Sequence, residues 1–366
     1  MQHEQEKLFG LADPLPIDGK TSGYVKIPFS SDLSGYGFIA LPIVIIGNGD
    51  GPTVLLLAGS QGDEYEGQVA LARLAQLLEP DAMVGRVIIV PMANAPAANA
   101  GLRNSPIDGF NLNRIYPGDV RGRPTAMIAS YIENHLMSEA DIVLDLHSGG
   151  RSLRYTPCAT MMDHVDANER AKRLSLAMAF GAPRVLVSQG YEERNSSGAA
   201  KRAGAVRIGS EIGGGEILDK DLVDLTLNCI ENVLVWAGIL ERPTTGQATE
   251  IEPKLHEVIP TRDYVYALSD GLFEPAVRLG DEVIAGDLAG LMFDPSRPLL
   301  APGEIRFEAS GTVVCKRAPG LTRRGDCILH TAAEYQEKSR GELKKATSSE
   351  WLKDQYRRPR PRVRKD

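Results

Sequence analysis

The run TVLLLAGSQGDEYEG, residues 53–67, decides how the chain is to be read. Its first six residues are apolar without alternation, as in a short strand covered on both faces. The next nine crowd three carboxylates (Asp63, Glu64, Glu66) and three glycines into a turn. From residue 65 the period changes, and Val69, Ala70, Leu74, Leu77 and Leu78 recur at helical spacing. Upstream, YVKIPF and FIALPIVIIG read as strands, with GNGDG as the turn before residue 53. Downstream, VIIVPMAN (87–94) and DIVLDLHS (141–148) are further strands, separated by a helix over 124–138 with Ile128, Tyr131, Ile132 and Leu136 on one face. A helix over 167–180, strands over 184–188 and 205–212, and a helix over 219–240 complete the pattern. Strands alternating with helices predict an α/β fold with a mixed, mostly parallel sheet and helices on both faces.

After about residue 245 the character shifts. GQATEIEP is a polar linker, and short strand-like runs punctuated by Gly-Asp and Pro-Gly follow. The expected organisation is a catalytic domain over 1–245, a smaller all-β domain over 250–334, and a basic tail over 335–366 that reads as disordered. Within that tail, Trp351 and Leu352 are candidates to anchor a short helix.

Composition bounds the function. The chain has 366 residues, 43% hydrophobic and 24% charged, which is ordinary for a globular protein. No apolar run approaches the roughly 20 residues of a membrane helix, so no membrane partner is expected. The start MQHEQEKLFG lacks an apolar core and does not read as a secretory signal. Four scattered cysteines without CxxC spacing fit the cytoplasm better than a disulfide framework. The net charge of −7 divides into +6 for residues 335–366 (11 basic against 5 acidic) and −13 for the rest (30 against 43). An acidic body disfavours nucleic acid as a partner.

Sites in open α/β sheets form outside the carboxyl ends of strands. Three polar clusters fall there: Gln61-Gly-Asp-Glu64, Asp145-Leu-His147-Ser148, and Ser210-Glu211 before Gly213, Gly214 and Gly215. Acid, imidazole and acid in one crevice suit a metal-assisted hydrolase: a carboxylate and an imidazole hold a divalent ion, and a second carboxylate takes a proton from the attacking water. Each residue also has a structural alternative. Glu64 could favour the dipole of the next helix, His147 could be a hydrogen-bonded structural histidine, and Glu211 could be a turn residue. Between the clusters, RNSPIDGFNLNRIYPG (103–118) is a long irregular segment of the kind that carries function. Arg114 beside Asn113 can grip a carboxylate, Arg103 can aim charge at a developing oxyanion, and Asp108 reads as a turn former.

Taken in order, Q-G-D-E (61–64), N-L-N-R (111–114), D-L-H (145–147) and S-E-I-G-G (210–214) resemble the succinylglutamate desuccinylase/aspartoacylase family, relatives of the zinc carboxypeptidases, over residues 50–240. DEYEG, RNSPIDG, NLNR and DLHSGG most resemble its branch of N-acetyl-diaminobutyrate deacetylases of ectoine breakdown. The G-D-x-V-x-x-G-D pattern at 280–287 resembles the family's C-terminal barrel-like domain. The resemblance implies a zinc-carboxypeptidase-like fold, Glu64 and His147 as zinc ligands, Glu211 as general base, and Arg103 as the group polarising the scissile carbonyl. It places Asn111, Asn113 and Arg114 at the substrate. The implied activity is removal of an acetyl or succinyl group from an N-acylated amino acid or diamino acid, by a homo-oligomer acting on a small molecule.

The departure is Gln61, where the family carries the first ligand histidine. An amide oxygen is a poorer zinc partner than imidazole. Three readings stay open: weak metal binding with hydrolysis retained, loss of zinc with altered chemistry or a non-catalytic binding role, or a deliberately inactivated enzyme. His3, His135, His164, His256 and His330 offer no convincing replacement. Carboxypeptidase action on peptides shares the metal logic, but the second domain and the absent secretion signal weigh against it.

Overall fold

The computed structural model describes residues 6–190, 193–246, 251–335 and 349–356. The chain opens with strands β1 (Lys7–Phe9), β2 (Gly19–Pro28), β3 (Phe38–Asn48) and β4 (Thr53–Ala58), then helix α1 (Glu66–Leu77). There follow β5 (Gly85–Val90), α2 (Ala95–Ala100), α3 (Pro124–Tyr131), β6 (Ile142–His147), β7 (Leu153–Met162), α4 (Ala167–Phe180), β8 (Arg184–Ser188), α5 (Ser196–Ala203), β9 (Val206–Gly214) and α6 (Lys220–Trp236). The last third carries β10 (Lys254–Val258), α7 (Pro260–Asp263), β11 (Tyr264–Tyr266), β12 (Gly271–Pro275), β13 (Glu282–Val283), β14 (Leu288–Phe293), β15 (Gly303–Arg306), β16 (Gly311–Arg317), β17 (Leu321–Thr322), β18 (Cys327–Glu334) and α8 (Glu350–Tyr356).

The unbroken apolar run of β4 has a direct cause. Val54, Leu56 and Ala58 pack into one core layer with α1, α4 and α6, whereas Leu55 and Leu57 face a second layer with α3 and α5. Both faces are buried, so neither parity can be polar. The helix expected over 124–138 holds only to Tyr131, then widens into a π turn (Ile132–Leu136) and a 3₁₀ turn (Met137–Glu139).

The large sheet runs β1-β2-β3-β5-β4-β6-β9-β7-β8-β10-β18-β16-β13. Its centre, β5-β4-β6-β9, is parallel, as is β7-β8-β10. The expectation of a mostly parallel sheet needs correction. Among the described residues, eight of its fourteen pairings are antiparallel, contributed by the β2–β3–β5 edge, by β7 against β9, and by the strands after residue 250.

The main sheet also crosses the boundary expected near 250. β10 pairs with β8, and β16 pairs with β7. With β10–β18 and β18–β16, these contacts close a five-stranded ring, β7-β8-β10-β18-β16. Cys158, Leu186, Val258, Val314 and Ala332 pack together in a small buried cluster drawn from all five strands of that ring. A separate four-stranded sheet, β15-β14-β12-β17, lies beside it over a core that includes Phe273, Met292 and Phe307. Most of the tail expected to be disordered lies outside the described residues. Its described piece is α8, which buries Leu352 and sets Trp351 5.9 Å from Trp236. No described helix is long and apolar enough to cross a membrane.

Candidate active site

The parallel register of the central strands aligns their polar ends. Asp145 lies opposite Gly209 and His147 opposite Glu211, while Ala58, the last residue of β4, faces Leu146. The turn after β4 then carries Gln61 and Glu64 over the same edge. A Cβ on Gly62 would lie 2.0 Å from the backbone carbon of Ala97, so only glycine lets this turn pass so close to α2. One cavity of about 370 Å³ is lined by Gln61, Glu64, Arg103, Asn113, Arg114, His147 and Glu211.

Asn111 does not line it. Its side-chain oxygen caps the short 3₁₀ turn Leu112–Arg114 by accepting from the Asn113 backbone N–H at 2.9 Å, and it also accepts from Gln61 Nε2 at 2.8 Å. Asn113 is likewise engaged, accepting from the Ser196 N–H at 2.8 Å, with its own Nδ2 3.3 Å from His147 Nε2. Arg114 donates to the Asn113 carbonyl at 2.7 Å. Asp108 accepts from both the N–H and the hydroxyl of Thr125 at 2.8 Å, tying the loop to the start of α3.

His147 sits between two carboxylates, with Nδ1 2.8 Å from Glu64 Oε2 and Nε2 2.9 Å from Asp145 Oδ2. Burial alone would lower its pKa, but Asp145 and Glu64 outweigh that and push it up to about 10. Asp145 is fully buried and accepts from Ser60 Oγ at 3.1 Å, Ser196 Oγ at 2.5 Å and Arg207 Nη2 at 3.0 Å. Its burial is overcome by His147, Arg207 and Ser196, which hold its carboxyl well below the usual range.

Glu211 contrasts with this saturated network. Its Oε2 is buried and finds no hydrogen-bond partner among the described residues. Burial and the neighbouring Glu64 push its pKa up to about 8. A carboxyl poised near neutrality and free at its tip is suited to accept and return a proton. Arg103 Nη1 stands 3.8 Å from Glu64 Oε1 on the exposed rim. The pKa of Arg114 is drawn down by lost hydration and by Arg103.

Among the described residues, no three His, Cys, Asp or Glu side chains gather as a metal cluster. Glu64 Oε2 and His147 Nδ1 nevertheless converge, and with Gln61 Nε2 committed to Asn111 the remaining donor of Gln61 is its amide oxygen. One carboxylate, one imidazole and one amide oxygen are a set that fits a divalent cation, with weaker attraction for zinc than a second imidazole would provide.

Asp145, named in the second cluster without a role, proves to be the hub of the site, and Ser196, Arg207, Tyr155, Tyr264 and His330 complete it beyond the residues picked from the sequence. Arg207 was within reach of pattern reading, since it and Glu211 are four apart on one strand and share a face. Ser196 follows Asn195, which caps α5 by accepting from the N–H groups of Ser197 and Gly198.

Residues 50–237 match the family model described as the succinylglutamate desuccinylase/aspartoacylase catalytic domain. The chain is 39% identical, over 313 residues, to the N-alpha-acetyl-L-2,4-diaminobutyric acid deacetylase of Halomonas elongata, covering 85% of this chain and 91% of that protein. The crystal structure of a succinylglutamate desuccinylase/aspartoacylase from Rhodobacter sphaeroides superposes with a TM-score of 0.83 at 36% identity, covering 89% of this chain and 99% of that one. The product-bound ectoine utilization protein EutE (DoeB) from Ruegeria pomeroyi superposes with a TM-score of 0.84 at 36% identity, covering 88% and 98%.

Proposed function

The chain belongs to the succinylglutamate desuccinylase/aspartoacylase family, and from that premise we propose that it is a metal-dependent hydrolase removing a small acyl group, acetyl or succinyl, from an N-acylated amino acid or diamino acid. The observation that carries this reading is Glu211: a carboxyl with a free buried tip, beside Glu64 and His147, in a cavity rimmed by guanidinium groups.

In this reading Arg114 pairs with the substrate carboxylate and fixes the orientation of the molecule. Arg103 presents its guanidinium to the amide carbonyl oxygen and stabilises the charge that develops there. Glu211 takes the proton of the attacking water and returns it to the leaving nitrogen, so one group acts as base and then as acid. Asp145 fixes the imidazole of His147 through Nε2 and is itself fixed by Arg207 and Ser196. A divalent cation, held by Glu64, His147 and the amide oxygen of Gln61, would supply Lewis acidity and a lowered water pKa when bound.

The test is a metal analysis joined to a screen of N-acetyl and N-succinyl amino acids. The expected result is cleavage that is lost on chelation and restored by zinc. Gln61→His should raise both zinc content and rate. Failure to cleave any acylated amino acid with zinc supplied would overturn the assignment.

A second reading has its own observation. His147 already has a carboxylate at each ring nitrogen, so its charge is balanced without a cation. A metal-free binding protein that keeps the anion pocket would take up amino-acid derivatives by calorimetry, bind no zinc and cleave nothing.

A further inference from the structure

The cavity does not end at Glu211. A second lobe of about 350 Å³ opens into the mouth of the five-stranded ring, with Arg114, Tyr155, Met162, Arg207, Glu211, Tyr264 and His330 among the residues it shares with the first. Its own surface includes Leu186, Ser188, Gln189, Val258 and Pro260, all uncharged. The wall between the lobes is stiff. Tyr264 stacks on His330 with ring centroids 3.8 Å apart and planes 9° from parallel, and Tyr155 Oη lies 3.4 Å from His330 Nδ1. These three side chains come from β11, β18 and β7, strands held in register by the closed ring.

We propose that this lobe receives the side chain of the amino acid whose acyl group is removed, and that it selects an uncharged side chain. The assignment rests on the deacylase reading and deepens it. Three groups leave the α-carbon of an N-acyl amino acid: carboxylate, amide and side chain. Arg114 lines both lobes, so a carboxylate paired with it lies at their junction. The amide must then turn into the first lobe toward Glu64 and Glu211, which leaves the second lobe for the side chain.

Charge decides what fits there. The described lining of the second lobe holds two guanidiniums, Arg114 and Arg207, and one carboxylate, Glu211, which the chemistry already uses. An ammonium in this lobe would lose water and find no acid of its own: Arg207 is paired with Asp145, Arg114 with the substrate carboxylate, and Glu211 is taken up by the proton transfer. A methionine or norleucine side chain would instead meet Met162, Leu186 and Val258. This separates the chain from the Halomonas relative, whose name specifies a diamino acid.

The test compares kcat/KM for N-acetyl-L-norleucine, N-acetyl-L-methionine and Nα-acetyl-L-2,4-diaminobutyrate. In parallel, calorimetry measures binding of the three free amino acids to the intact chain supplied with zinc. The wild type should prefer the uncharged side chains at least tenfold in both measurements. Ser188→Asp places an acid at the partly exposed end of β8, in the second lobe only, and should reverse the preference toward diaminobutyrate. Leu186→Ala, which enlarges the second lobe alone without adding charge, should lower kcat/KM for norleucine and leave the charge preference in place. Wild-type preference for diaminobutyrate, or a ratio that Ser188→Asp does not move, overturns the side-chain assignment while the deacylase reading stands. Cleavage of none of the three, with none bound, overturns both.

Discussion

The two walls of the cavity are built on opposite principles. On the side of β4, β6 and β9, charged groups are tied down: Asp145 alone takes hydrogen bonds or ion pairs from Ser60, His147, Ser196 and Arg207. On the side of the closed ring, the wall is aromatic and neutral, and His330 is held by stacking and burial. Fixed charge is what proton transfer and oxyanion stabilisation need, because dipoles and ions already in place cost no reorganisation. Fixed shape is what discrimination between side chains needs. Under the proposed function the difference is a division of labour, with rate set by the strand ends and selection set by the ring.

The strongest test of that division is Glu211→Gln. It should lower kcat by about 10²–10⁴-fold with the fold intact by circular dichroism, whereas Tyr264→Leu should act mainly on KM. Equal losses of kcat in the two variants would abolish the distinction. In the wild type, only ionised Glu211 accepts a proton, so log kcat/KM should climb with unit slope toward its pKa of about 8 and level off above it. A flat profile would remove Glu211 as the base. Next in size is Asp145→Asn, which leaves Arg207 without its buried counter-charge and His147 with Glu64 alone. Chemical denaturation should show a loss of about 3–5 kcal/mol.

Gly209→Ala probes the same wall sterically. A Cβ there would lie 2.7 Å from Thr160 Oγ1 and 2.8 Å from Arg207 Nη2. Overpacking of this kind costs about 1–3 kcal/mol, and a stability unchanged from wild type would show that Arg207 gives way freely. The ring wall leaves no signature at neutral pH and shows itself only in acid. Burial lowers the pKa of His330 from 6.5 to about 3. Between those values the unfolded chain holds the proton and the folded chain does not, so this group's contribution falls as pH drops from 6.5, by about 1.4 kcal/mol per unit. His330→Gln should remove that slope from the denaturation midpoint measured against pH.

How much of this was legible in the sequence depended on the range of the signal. Strands β4 and β5 announce themselves because burial on both faces demands unbroken apolar runs, and β6 keeps that pattern up to Asp145. The gathering of Glu64, His147 and Glu211 followed from one topological rule about strand ends. β7 escaped notice because Pro157 and a register shift between Tyr155 and Cys158 interrupt its alternation, and proline inside a sheet marks an edge or a bulge. Arg207 shares a parity with Glu211, but a single arginine in a strand carries no local signal that its partner is a buried carboxylate. The ring wall was out of reach. Tyr155, Tyr264 and His330 meet only because β7 pairs with β16 across more than 150 residues, and no local pattern encodes that closure.

Strand β7 bonds to β9 along one edge and to β8 and β16 along the other. It is therefore a common wall, not a seam. A chain cut at residue 245 would strip β7 and β8 of the partners that complete the ring, leaving open hydrogen-bonding edges where the pocket used to be. The ring strands after residue 250 cannot be exchanged between relatives like a cassette, since any replacement must match the pleat of a strand it does not own. New substrate ranges in such an architecture are expected to arise by single-residue changes along the inner faces of β7, β8 and β18, with the backbone inherited whole.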